Sequence, residues 1–333
     1  MTDVPWFVYV IFIAFVIAML LVDLRVFHRE GHEPNFNESL AWFCVWFGLG
    51  VIFGLGVWIY YDGHIAGEYF AGFLVEKALS VDNLFVFVLI FSYFRVPFMY
   101  QHQVLFYGIL GALIFRGIFI AAGVGLINTF DWVVYIFGAF LIVTAIRIAV
   151  GSEEVHPEEN PVLKFAQKRL ASTTRYEGQN LFTVENGRRV ATPLFITLIF
   201  IEVTDIIFAV DSIPAILAIT TDPFIVLTSN VFAILGLRAL YFLLAGSVDR
   251  FHLLRYGLGL ILAFVGAKML LEAIHVEIPI ALSLSFIVVV LAVTVFLSFR
   301  IPPRADRKSV ATFPKTPPPQ PPSTGEEKEA ETG

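Results

Sequence analysis

The sequence predicts an all-α polytopic membrane protein with about nine transmembrane helices, and three observations carry that reading. Of its 333 residues, 58% are hydrophobic and 15% charged, and the mean hydropathy is +0.80. A soluble chain carries roughly 25% charged residues, so a lipid bilayer is the solvent that suits this composition. The apolar residues also fall into nine runs near the ~20 residues that a helix needs to cross the hydrocarbon. These are 5–27, 40–61, 65–93, 100–127, 131–150, 193–219, 223–246, 253–275 and 278–299. Finally, 17 of the 22 Lys and Arg residues follow runs one, three, five, seven and nine, and the N-terminus and the other loops carry none. Cytoplasmic loops are enriched in both residues. The N-terminus is therefore expected outside and the C-terminus in the cytoplasm.

The first run opens with Thr2 and Asp3 in place of a basic region and shows no small-residue cleavage pattern, so it is expected to stay as a span. With the second run it makes an N-terminal pair, 1–64. The single cysteine, Cys44, lies in that second run and is expected to be buried; one thiol allows neither an internal disulfide nor a Cys-based metal site. Runs three to five form a unit, 65–150, and runs six to eight another, 193–275. Between them the loop 151–192 holds a helix candidate near Pro161–Ala171 and a hairpin signal, Asn186-Gly187, flanked by Leu181-Phe-Thr-Val and Arg188-Arg-Val. Docking element and plain linker are both open for it. A last span, 276–300, leads to a tail, 301–333, whose Pro, Ser, Glu and Thr leave little to bury and predict disorder. The net charge of −6 comes without a basic aromatic patch or zinc-ligand spacing, which sets nucleic-acid binding aside.

The two three-span units align with each other. Glu76-Lys-Ala-Leu-Ser-Val-Asp82-Asn83 lies over Asp205-Ile-Ile-Phe-Ala-Val-Asp211-Ser212 at an offset of 129, Arg116 lies over Arg238 at 122, and Arg147 over Lys268 at 121. Units with an odd number of spans cross the membrane in opposite senses. Inverted three-helix repeats with the substrate near the midplane recur among transporters.

Charge inside the spans points the same way. The basic residues Lys77, Arg116, Arg147, Arg238 and Lys268 accompany five acids close to mid-span, Glu76, Asp82, Glu202, Asp205 and Asp211, all in runs three and six. Five unpaired carboxylates would oppose insertion by about 12–18 kcal/mol, so they must face the bundle interior or water. Glu76 and Asn83 share a helix face, as do Asp205 and Ser212, whereas Glu202 and Asp211 point oppositely on an unbroken helix. Pro214 is expected to break run six and free the Val210 carbonyl beside Asp211. Carboxylates, an amide oxygen, a hydroxyl and a carbonyl are hard donors suited to Mn²⁺, Mg²⁺ or Ca²⁺. The expected metal ligands are Glu76, Asp82, Asn83, Glu202, Asp205, Asp211 and Ser212, with Asp82 and Asp211 foremost. Lys77, Arg116 and Arg238 are expected as counter-ions or coupling groups, and some acids as proton carriers. His64 and His275 fall at span ends and read as surface residues. No aspartyl-dyad motif is evident, so an enzyme is not expected, and no Gly-rich phosphate loop is present, so energy is expected from a gradient.

Five motifs carry a resemblance to a known family: Leu74-Val-Glu-Lys-Ala-Leu-Ser-Val-Asp-Asn-Leu-Phe-Val-Phe, Ala191-Thr-Pro-Leu-Phe, Glu202-Val-Thr-Asp-Ile-Ile-Phe-Ala-Val-Asp-Ser-Ile-Pro-Ala, Thr220-Thr-Asp-Pro-Phe-Ile-Val, and Ser229-Asn-Val-Phe-Ala-Ile-Leu-Gly-Leu-Arg-Ala-Leu-Tyr-Phe. Over about residues 40 to 300 the chain resembles the TerC family of integral membrane proteins, and within it the Alx-type manganese exporters. The resemblance implies export of Mn²⁺ from the cytoplasm as the transported substrate, with no bound cofactor, through an ion site made by the acidic motifs, with H⁺ as a candidate coupling ion. The family name comes from tellurite resistance. Other members are linked to membrane-protein assembly or to metalation of secreted enzymes, which gives the rival expectation: an assembly or metalation partner without transport of its own.

Overall fold

The structure, a computed structural model, describes residues 2, 4–27, 36–150, 173, 176–185, 187–245, 253–276 and 278–301. Its helices are α1 Trp6–Phe27, α2 Phe36–Tyr60, α3 Gly63–Phe94, α4 Phe98–Thr129, α5 Val133–Val150, α6 Pro193–Leu217, α7 Pro223–Ile234, α8 Leu237–Ala245, α9 Leu254–Ala273 and α10 Ile280–Arg300. A two-stranded hairpin, β1 Phe182–Glu185 and β2 Arg188–Ala191, precedes α6 and pairs Phe182 with Ala191. It stands where the Asn-Gly signal is read. The helix candidate at 161–171 and the tail beyond residue 301 lie outside the described residues.

Among the described residues, seven stretches are long and apolar enough to cross a membrane, and α7 and α8 together count as one of them. The two expected spans missing from that set have plain reasons. In α3 the apolar run is interrupted by Glu68, Glu76, Lys77 and Asp82, and the apolar part of α5 is short. The protein is thus an all-α polytopic membrane protein.

Local chemistry sets the helix ends. Asp62 caps α3 by accepting from the Ile65 amide at 2.8 Å, and α3 closes on Arg95, left-handed at φ 54°, with the Val96 amide reaching back to the Phe91 carbonyl. Pro97 then opens the way into α4. Asp222 caps α7, accepting from the Phe224 and Ile225 amides, with Pro223 in the first turn.

The discontinuous helix lies elsewhere than expected. Pro214 sits inside a continuous α6, only three residues from its end, so it frees one carbonyl near a terminus and opens no unwound stretch. The break is instead between α7 and α8, where Gly236 takes φ +85°. That conformation suits glycine, and a Cβ there would also run into Trp46 of α2.

Close approach at small residues sets the packing. Gly72 on α3 meets Ile216 of α6, and Phe94 meets Phe200, so α3 and α6 run antiparallel. Gly108 meets Ile201 and Gly123 meets Leu217, which makes α4 parallel to α6. Likewise α7 runs parallel to α3, with Ser229 against Gly72 and Ala233 against Lys77. Helices α5 and α9 cross antiparallel through Gly138 and Gly266, and the Tyr135 hydroxyl donates to the Ala273 carbonyl at 3.1 Å. The α7–α8 stretch is 94% buried against 22% for each of α1, α2 and α10, so the broken helix is central and those three are peripheral. Cys44 is exposed on α2, contrary to expectation. At a lipid-facing surface an apolar residue loses nothing by exposure.

Candidate cation site

Helices α3, α4 and α6 converge on one buried ion-paired cluster. Arg116 of α4 donates through Nη1 to Glu76 Oε1 of α3 and, at 3.1 Å, to Ser212 Oγ of α6; its Nη2 lies 3.4 Å from Asp205 Oδ1. Ser80, one turn along α3, lies with its hydroxyl 3.5 Å from Glu76 Oε1. Glu76, Arg116, Asp205 and Ser212 are 0%, 1%, 4% and 2% exposed. Each carboxylate uses one oxygen only: Glu76 Oε2 and Asp205 Oδ2 are buried without a hydrogen-bond partner, as is Arg116 Nε. Buried polar atoms are ordinarily satisfied, so two orphan carboxylate oxygens in one cluster require an explanation.

The helical register explains which acids meet. Glu76 and Asp205 occupy matching positions in the internal alignment, and α3 and α6 run antiparallel, so both side chains reach the same level of the bundle. Asp82 and Asp211 lie six residues further along their helices, about 240° around the axis, and are only half-buried. Asn83 is buried at 7%. Glu202 is half-buried, with its carboxylate lying where a side chain on Gly111 of α4 would be and its Oε2 unpartnered. Among the described residues, no three His, Cys, Asp or Glu side chains come close enough together to hold a metal ion.

The two other expected cations are engaged away from this cluster. Lys77 donates to the Ala233 carbonyl at 2.6 Å and the Leu235 carbonyl at 3.3 Å, at the end of α7, with Phe43 and Phe73 rings 5.9 and 5.8 Å from Nζ. The break at Gly236 leaves those carbonyls without helical amides, and an ammonium suits the negative end of a helix. Arg238 is bound to Asp23 of α1, 2.7 Å to the carboxylate and 2.7 Å to the carbonyl. The sequence reading gives Asp23 no role. Its signal is an acid inside the first apolar run, which needs a partner as much as the others do.

A cavity of about 350 Å³ opens on the face that carries the N-terminus, lined by His64, Glu68, Thr220, Asp222 and Glu272. Glu68 accepts from the Thr220 hydroxyl at 2.8 Å, with His64 3.7 Å away, and Asp222 accepts from the Thr2 hydroxyl. Glu68 lies eight residues before Glu76 on α3, about 12 Å along the axis. His64 and His275 are exposed at helix ends. Buried Asn230 on α7 keeps both side-chain atoms unpartnered, and no acidic or basic signal singles it out in the sequence.

A helical membrane bundle with paired charges at its centre defines an integral membrane protein built around an interior polar site. The model of the Integral membrane protein TerC family matches residues 61–306, and the chain belongs to that family. It is 50% identical over 288 residues to an uncharacterised membrane protein of Myxococcus xanthus, covering 86% of this chain and 90% of the relative. It is 44% identical over 307 residues to an Escherichia coli K12 protein provisionally named membrane-bound redox modulator Alx, covering 89% and 95%. A membrane protein of Rickettsia bellii is 42% identical over 291 residues, covering 87% and 96%. No solved structure matches the chain.

Proposed function

We propose that this protein is a divalent metal cation transporter that exports Mn²⁺ from the cytoplasm through the site between α3 and α6. The observation that carries the reading is the pair of buried carboxylates, Glu76 and Asp205, contributed by matching positions of two antiparallel helices, each with one oxygen left unpartnered. Intramembrane acids are costly to insert, and a transport path is their default explanation. The inverted repeat behind this reading is supported by the exchange of partners in the bundle, α4 against α6 and α7 against α3, both parallel. The absence of Lys and Arg from the N-terminus and from the loops after runs two, four, six and eight supports an outward orientation for the cavity at Glu68 and Asp222. In this reading a cation passes from the cytoplasm to Glu76 and Asp205 and leaves by that cavity, with H⁺ as a coupling ion and the bilayer as surroundings.

The name of the Escherichia coli relative suggests redox work. Thiol exchange within one chain needs a second cysteine, and the sequence has only Cys44, exposed on α2. Metal export accounts for more of the buried chemistry.

The test is manganese-dependent quenching of a dye trapped in sealed proteoliposomes, with and without a proton gradient. Wild-type quenching that is absent from a folded Glu76→Gln, Asp205→Asn double variant is expected. Equal signals from both would leave the acids as scaffold and favour an assembly or metalation partner without transport.

A further inference from the structure

We propose that Arg116 is a tethered competitor of the transported cation: its guanidinium and a divalent metal ion occupy Glu76 and Asp205 in turn, never together. The inference rests on the cation-site reading above and adds how that site is emptied and what it refuses.

With Arg116 in place the cluster cannot coordinate a metal. One oxygen of each carboxylate and the Ser212 hydroxyl are engaged by the guanidinium, which leaves Glu76 Oε2 and Asp205 Oδ2 as the free donors. A hard divalent cation takes about six oxygens. Withdrawing Arg116 releases both carboxylates in full, and with the Ser80 and Ser212 hydroxyls they make six hard oxygens from α3 and α6. All of these except Arg116 itself lie on those two helices; the competitor alone belongs to α4. A cation entering beside a guanidinium would also meet a like charge inside a buried cluster, so mutual exclusion follows from charge as well as from donor count.

A permanent brace would be built differently. Arg238 is held to Asp23 by two contacts of 2.7 Å, whereas Arg116 reaches Asp205 at a long 3.4 Å and leaves each of its two acids an unpartnered oxygen. The guanidinium makes an incomplete set of bonds to two incompletely bonded acids, which suits an occupant that leaves.

The consequence is a filter on valence. A sodium or potassium ion offers no more charge than the guanidinium it would replace, and the guanidinium is held at high local concentration by its own helix. A divalent ion offers twice the charge and leaves the two carboxylates neutralised. After release, Arg116 returns and keeps the acids from crossing bare.

The test measures Mn²⁺ binding to the purified full-length protein at fixed pH by the electron paramagnetic resonance signal of free Mn²⁺, alone and against excess Na⁺. Wild type is expected to bind Mn²⁺ with little effect of Na⁺, and Asp205→Asn to lose binding. Arg116→Gln is expected to bind Mn²⁺ about tenfold or more tighter and to become sensitive to Na⁺, since removing a competitor raises the affinity of its rival by their coupling. Arg116→Lys, which keeps the charge but not the fork, is expected between the two and serves if the glutamine variant does not fold. Unchanged or weaker Mn²⁺ binding in folded Arg116 variants, with Asp205-dependent binding in wild type, overturns the competitor and leaves the site. No Asp205-dependent binding in wild type or in either variant overturns both.

Discussion

Glu76 and Asp205 stand at matching positions of two antiparallel helices and share a single guanidinium, that of Arg116. The relationship makes the site a joint product of the two units, since neither α3 nor α6 holds a complete donor set. Neutralising either acid is therefore expected to act like neutralising both. Glu76→Gln and Asp205→Asn should each lower manganese flux at least about tenfold, the loss expected when ~1.4 kcal/mol or more of ligand energy is removed. Dye quenching in proteoliposomes reads this, and independent effects that multiply in the double variant would contradict a shared site.

Glu202 and Gly111 are expected to behave as one locus. The Glu202 carboxylate occupies the space of a Cβ on residue 111, so Gly111→Ala must move either that carboxylate or α4. Gly111→Ala and Glu202→Gln should each change transport, and the double variant should resemble the more severe single one. Additive losses in the same flux assay would show that the two act apart.

The break at Gly236 should tolerate no side chain. Gly236→Ala forces a Cβ into both a left-handed conformation and Trp46, which is expected to cost about 1–3 kcal/mol. A fall in Tm of the detergent-purified protein measures it, and companion variant Trp46→Ala should lower stability by removing the packed ring.

Lys77→Met should destabilise for a different reason. It strips two carbonyls at the end of α7 of their donor inside the bundle, at about 1–3 kcal/mol for each acceptor left unsatisfied. Lys77→Arg keeps a cation and donors, and is expected to recover part of the loss. The same melting measurement separates the two.

The bilayer class, the nine apolar segments and the hairpin were legible because hydropathy, span length and Asn-Gly turn chemistry are local signals. So were the acids, since a carboxylate inside an apolar run is conspicuous wherever it lies. Which acids meet was not legible: Asp82 and Asp211 match each other as well as Glu76 and Asp205 do, and only the rotation of α3 and α6 about their axes selects the inner pair. Pro214 misled for a positional reason, being too close to the end of α6 to open it, while the actual break needed only Leu235-Gly236 and a tryptophan from another helix. Arg238 was read by analogy with Arg116, yet its partner Asp23 comes from outside both units.

Removing one member of that last pair should be worse than removing both. Arg238→Met strands Asp23 in the bundle, an effect of about 3–5 kcal/mol for a broken buried pair, whereas Asp23→Asn with Arg238→Met leaves no lone charge. Thermal melting of the two single variants and the double should show the double closer to wild type.

The contacts of α1 carry an implication for how the chain is put together. Thr2 holds Asp222, Tyr9 and Phe12 pack on Phe224, Phe12 and Phe15 on Phe232, and Asp23 holds Arg238, so α1 lies along α7 and α8 and bridges the gap between them like a splint. Helix α1 is thus seated against helices made more than 200 residues later. Until those emerge, the face of α1 that meets them must wait in lipid, although Phe53 of α2 is already at hand for Phe12. Its almost wholly apolar surface suits the wait, and its one buried acid lies near a helix end, where the headgroups can hydrate it until its arginine arrives.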